Sequence, residues 1–87
     1  MLENMLEKPR ILVVDDTEGN RYATARALRH AGMGVHEAAT GAQGLALARG
    51  GVDLVVLDIN LPDMSGYEVL RQLKEMPETS RIPVLHL

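Results

Sequence analysis

Two short apolar runs that each end abruptly in acid constrain this chain more than any other feature. Ile11-Leu12-Val13-Val14 runs into Asp15-Asp16, and Leu54-Val55-Val56-Leu57 runs into Asp58. Runs that are continuous rather than alternating, short, and rich in β-branched residues read as strands buried on both faces. Such strands belong to parallel sheets covered by helices, and binding sites of these sheets lie beyond the carboxyl ends of the strands. Two strands ending in acids therefore suggest one acidic cluster on one sheet edge, suited to a cation or to phosphoryl transfer.

The rest of the chain alternates accordingly. Residues 1–9 are polar and read as a tail, and Arg10 to Val14 as the first strand. A helix is expected over Glu18 to Ala31, with Tyr22, Ala25 and Leu28 on its inner stripe and Gly32 as its stop. Gly34 to Ala38 reads as a second strand. Thr40-Gly41-Ala42-Gln43 matches a capping box that opens a helix through Ala48 or Arg49, closed by Gly50-Gly51. After the strand Leu54 to Leu57, Ser65-Gly66-Tyr67-Glu68 forms a second capping box. Its helix is expected to turn Tyr67, Leu70 and Leu73 inward and to end at Pro77. Ile82 to Leu87 reads as a fourth strand. Strand and helix alternating at this spacing specify an α/β fold with a parallel sheet and helices on both faces.

Composition removes several function classes. At 87 residues the chain holds one domain at most, and 46% apolar residues excludes a disordered chain. It has no cysteine, so disulfides and thiolate metal sites are out. A net charge of −3 argues against a nucleic-acid-binding surface. No apolar stretch approaches the roughly 20 residues of a membrane span, and Met1 to Arg10 lacks the pattern of a signal peptide. A cytoplasmic module is the expectation, with neither nucleic acid nor membrane as a direct partner.

Crowded carboxylates repel one another unless a cation relieves them. Magnesium does so with octahedral oxygen coordination while keeping several waters. It also neutralises charge that would repel an attacking carboxylate, so Asp58 could act as a nucleophile and form an acyl phosphate. The plainer alternatives are that Asp15-Asp16 cap the first helix and that Asp58 is a strand-end turn residue. Taken one at a time, the plainer readings hold. Taken together, three acids behind two apolar strands favour a functional cluster.

Ile11-Leu12-Val13-Val14-Asp15-Asp16 and Leu57-Asp58-Ile59-Asn60-Leu61-Pro62-Asp63-Met64-Ser65-Gly66 resemble the signatures of the response-regulator receiver domain of two-component signalling. Val35-His36-Glu37-Ala38-Ala39-Thr40-Gly41 and Arg81-Ile82-Pro83-Val84-Leu85 extend the resemblance over 10–87. It implies a flavodoxin-like doubly wound sheet. It also implies Asp58 as phosphoacceptor, taking a phosphoryl group from a kinase phosphohistidine with Mg2+. Asp16 would ligate the metal directly, Asp15 through water, and Asn60 through its backbone carbonyl. Asp58 completes the metal set. Pro62 and Gly66 would shape the loop, Gly66 by adopting a backbone conformation that other residues resist. The implied partner is a sensor histidine kinase or a phosphotransfer protein, and the run through Asp15 to Ala23 resembles receivers of hybrid sensor kinases.

The family has five strands, and this sequence reaches the fourth. The resemblance thus implies an incomplete sheet of order 2-1-3-4, with the fifth strand and the last two helices absent. The family's phosphoryl-binding Ser or Thr and its Lys would lie past Leu87. Weak or absent phosphorylation of this form is expected, along with self-association through the uncovered fourth strand or marginal stability. Two other functions compete. One is a non-phosphorylated interaction module on the same fold. The other is a magnesium-dependent phosphohydrolase, which should carry a second Asp where this chain has Asn60.

The remaining features read plainly. His30, His36 and His86 are too scattered for a metal site. Arg21, Arg26 and Arg29 read as a solvated face, or more sharply as a kinase-docking surface. Gly41, Gly44, Gly50 and Gly51 fit helix boundaries and tight packing, and Met64 and Met76 fit gap filling.

Overall fold

The computed structural model describes residues 8–86. Residues 1–7 of the expected tail and Leu87 of the expected last strand lie outside them. The elements are β1 (Arg10–Val14), α1 (Glu18–His30), β2 (Gly34–Ala38), α2 (Gly41–Arg49), β3 (Leu54–Leu57), α3 (Gly66–Glu75) and β4 (Val84–His86). All strand pairs are parallel, in the order β2-β1-β3-β4. Their register sets Val14 beside both Ala38 and Leu57.

Parallel pairing puts alternate residues of β1 and β3 on opposite faces, which builds two cores. On one face Leu12, Val14, Val55 and Leu57 pack with Leu45 and Ala48 of α2 and Val69 and Leu73 of α3. On the other, Ile11, Val13 and Val56 meet Leu28 of α1 together with Met33, Val35 and Leu54. Helices therefore cover both faces, as expected of a doubly wound sheet. Full burial of a side chain such as Leu12, Leu57 or Val69 contributes about 1.5–3 kcal/mol. Met64 and Met76 fill space at the margin of the first core.

The helix ends follow local chemistry. Past α1, Gly32 takes φ 92°. Its N–H donates to the Arg29 carbonyl while that of Met33 donates to Leu28, closing a Schellman turn. Gly51 follows α2 at φ 96°, its N–H donating to the Ala48 carbonyl at 3.0 Å. Helix α3 stops at Glu75, two residues before Pro77, because Met76 is extended (φ −90°, ψ 129°). A residue preceding proline is disfavoured in the helical region. Pro83 likewise delays β4 until Val84: it offers only a carbonyl, which accepts from the Val55 N–H at 3.0 Å.

Both capping boxes form incompletely. Thr40 accepts from the Gln43 N–H at 3.1 Å, but the Gln43 side chain accepts from Ala39 instead of Thr40. Ser65 accepts from the Glu68 N–H, while the Glu68 carboxylate turns forward to Arg71 and Gln72. The Arg71 hydrogen bond first, and that of Gln72 second, hold the Glu68 carboxyl down to about 2. A further cap on α2 comes from another element: the Asp63 carboxylate accepts from the N–H groups of Gly41 at 2.8 Å and Ala42 at 2.9 Å. Those two bonds, Ala42 first, hold Asp63 below the usual 3.8 of an aspartate.

Three expectations about faces are corrected. Tyr22 and Tyr67, expected inside, are 59% and 62% exposed. The buried stripe of α1 centres on Ala25 and Leu28, and that of α3 on Gly66, Val69 and Leu73. Each tyrosine lies too far round its helix to share the stripe, and Tyr67 instead packs on His86 with ring centroids 5.7 Å apart. Of the expected solvated arginines, Arg26 and Arg29 are exposed but Arg21 is largely covered. Arg21 and Arg29 both pair with Glu37 of β2, at 3.3 and 3.1 Å, and Arg29 also donates to the Val35 carbonyl.

Gly44 lies where α2 meets β1, and a Cβ there would come within 2.8 Å of the Val14 side chain. Gly44→Ala is expected to destabilise by about 1–3 kcal/mol in urea unfolding. Gly19→Ala, in open space on α1, is expected to stabilise by about 0.5 kcal/mol. Because the folded carboxyls of Asp63 and Glu68 are depressed, their stabilisation is complete above the unfolded values of 3.8 and 4.5. It is lost as pH falls through the lower folded values. Acid unfolding followed by circular dichroism should steepen below those unfolded values and be shallower in Asp63→Asn.

Candidate functional site

The hydrogen-bond ladders of β1 deliver the acids. The Asp15 N–H donates to the Ala38 carbonyl at 3.0 Å, and the Asp58 N–H donates to the Val14 carbonyl at 2.9 Å. Each acid is thus the first residue beyond its strand and still held by the neighbouring strand's backbone. The structure brings Asp15, Asp16 and Asp58 together, with one carboxylate oxygen of each within 4.8 Å of the others. Asp15 is buried, Asp58 half-buried and Asp16 exposed, so the cluster opens to solvent on one side.

The reading of Asp15-Asp16 as simple helix caps is only partly met. The N-cap of α1 is Thr17, which makes no side-chain capping bond. Asp15 accepts from the Thr17 N–H at 2.9 Å, which fixes its carboxylate at the rim of the site. Behind it, Arg21 donates to the Asp15 carbonyl at 2.8 Å. Among the described residues, no protein hydrogen bond engages the carboxylates of Asp16 or Asp58.

The loop after Asp58 is tightly closed. The Gly66 N–H donates to the Ile59 carbonyl at 2.6 Å, and Asn60 bridges to Ser65. Gly66 does not adopt a left-handed backbone, contrary to expectation. It is needed for close approach: a Cβ there would collide with the Asp58 carbonyl oxygen and lie 2.8 Å from the Ile59 Cα. Asp63, from the middle of this loop, reaches the α2 amides described above. Sequence reasoning placed it only within the motif, because its partners lie 21 and 22 residues away. An acid near a loop tip gives no sign of which helix it will cap.

Three carboxylate oxygens within 4.8 Å of one another, all of them hard donors, are the ligand type that a hard dication such as magnesium takes. Nothing else among the described residues gathers three metal-ligating side chains, and the three histidines stay apart from the cluster.

Comparison with known proteins agrees with this arrangement. A family model described as the response regulator receiver domain matches residues 11–87. Protein PilH of Pseudomonas aeruginosa is 42% identical over 77 residues, which is 87% of this chain and 64% of PilH. The chain therefore spans just under two thirds of that relative's length. Chemotaxis response regulator CheY4 of Vibrio cholerae is similar in structure, with a TM-score of 0.88 at 30% identity, covering 92% of this chain and 68% of that one. The receiver domain of sensor histidine kinase PA1611 from Pseudomonas aeruginosa carries a magnesium ion coordinated in its active site cleft. It gives a TM-score of 0.87 at 27% identity over 92% of this chain and 66% of that one. On its strand order, its strand-end acids and these matches, the chain belongs to the response regulator receiver domain family.

Proposed function

We propose that this chain is the phosphoacceptor part of a two-component phosphorelay, with Asp58 as the acceptor. The convergence of Asp15, Asp16 and Asp58 at the carboxyl edge of β1 and β3 carries the reading. Receiver domains interact with histidine kinases or phosphotransfer proteins, and a phosphohistidine of such a partner is the donor. An Asp58 carboxylate oxygen attacks phosphorus, the phosphorus–nitrogen bond breaks, and the imidazole nitrogen keeps the electron pair. The product is an acyl phosphate on Asp58.

Asp58 suits the role because its backbone is anchored to β1 while its carboxylate has no protein hydrogen bond among the described residues. Asp15, Asp16, Asp58 and the Asn60 carbonyl would hold Mg2+, which when bound neutralises the negative charge that opposes attack. Asp15 is oriented by the Thr17 N–H, so its carboxylate keeps its direction without the ion. Asp16 is exposed and presents its carboxylate from the solvent side.

Incubating the longest polypeptide that carries this sequence with acetyl phosphate and Mg2+ should produce a labile phosphoryl group that hydroxylamine releases. Asp58→Asn should abolish it, and chelating the cation should prevent it. Lack of incorporation with a cognate phosphodonor would leave the interaction-module reading in its place. Asp16→Ala should weaken Mg2+ binding at least about tenfold, measured by titration calorimetry on the unphosphorylated protein.

A further inference from the structure

We propose that Asp63 is a positioning residue for the cation site. Its carboxylate ties the loop after Asp58 to the amino end of α2 and so fixes the backbone of Asn60. The inference rests on the reading of Asn60 as a ligand given above. A carbonyl ligand has no side-chain torsion to adjust, so its direction is set by the conformation of the loop that carries it.

That loop is held at three places. At its base the Gly66 N–H donates to Ile59 and Asn60 bridges to Ser65. At its tip the Asp63 carboxylate accepts from Gly41 and Ala42 at 2.8 and 2.9 Å. Between them Met64 packs so closely on α2 that a Cβ at Gly41 would lie 2.6 Å from its Cγ. The base holds Asn60 at its bridge to Ser65 but leaves Leu61 to Met64, whose backbone continues directly from the Asn60 carbonyl, free to pivot. The tip removes that freedom by engaging a helix packed on the sheet.

Asp63 caps α2, and so does Thr40 at the same helix end, which accepts from the Gln43 N–H at 3.1 Å. The two caps satisfy neighbouring amides of one helix, but only Asp63 reaches across from the acceptor loop. Asp63 is also exposed, so it fills no core space. The pair therefore separates two effects: loss of helix stability, common to both, and loss of loop position, particular to Asp63.

The test compares Asp63→Ala, Asp63→Asn and Thr40→Ala in the whole chain. Mg2+ affinity is measured by calorimetry, and the amide resonances of Ile59 to Met64 are recorded without metal. Asp63→Ala should lower Mg2+ affinity about tenfold and shift the metal-free loop resonances. Asp63→Asn, which keeps one acceptor oxygen, should lose less. Thr40→Ala should leave both readouts unchanged. Equal losses in Asp63→Ala and Thr40→Ala would overturn the proposal, since helix stability would then explain them. So would wild-type affinity with unmoved loop resonances in Asp63→Ala. A wild-type chain that binds no Mg2+ would overturn the cation reading and this role with it. Loop resonances that moved only in the Asp63 variants would in that case show that the tie itself stands.

Discussion

Strand β1 is bonded on both sides, and the position of every acid in the site depends on it. Val14 faces Ala38 in one neighbour and Leu57 in the other. One residue further on, the amides of Asp15 and Asp58 extend those two ladders before the backbone turns away. A parallel ladder fixes register through bonds repeated along its length, and a slip of one residue would reverse every side chain. The apolar runs on both faces resist such a slip. The polar site is thus indexed by the hydrophobic core.

The cost of gathering three carboxylates is met by their surroundings. Asp15 is the buried one, and it receives a backbone N–H from Thr17. The other two remain on the open side, where water solvates their charge. A buried carboxylate without a partner would cost several kcal/mol, so this division keeps the apo site compatible with a stable fold.

Much of this was legible in the sequence because it depends on short-range patterns. Continuous apolar runs gave β1 and β3, glycine gave the ends of α1 and α2, and the strand-end acids gave the cluster. The misreadings arose where distant contacts decide. Tyr22 and Tyr67 looked internal because an aromatic near the right spacing resembles a core residue, but the packing angle of the helix chose its neighbours. Arg21 looked solvated because its partner, Glu37, lies on a strand 16 residues away. Gly66 looked like a turn glycine, yet the close approach of the Asp58 carbonyl is what excludes a side chain.

Arg21 connects these levels. Its guanidinium pairs with Glu37 on the edge strand and donates to the main-chain carbonyl of Asp15 from behind the cluster. A fixed positive charge thus stands at the back of an anionic mouth without occupying it. It draws on the planar, several-donor geometry of arginine, which a lysine ammonium cannot reproduce. The first helix, the sheet edge and the acidic rim therefore share one joint, so a partner that displaced α1 would also loosen the backbone that carries Asp15.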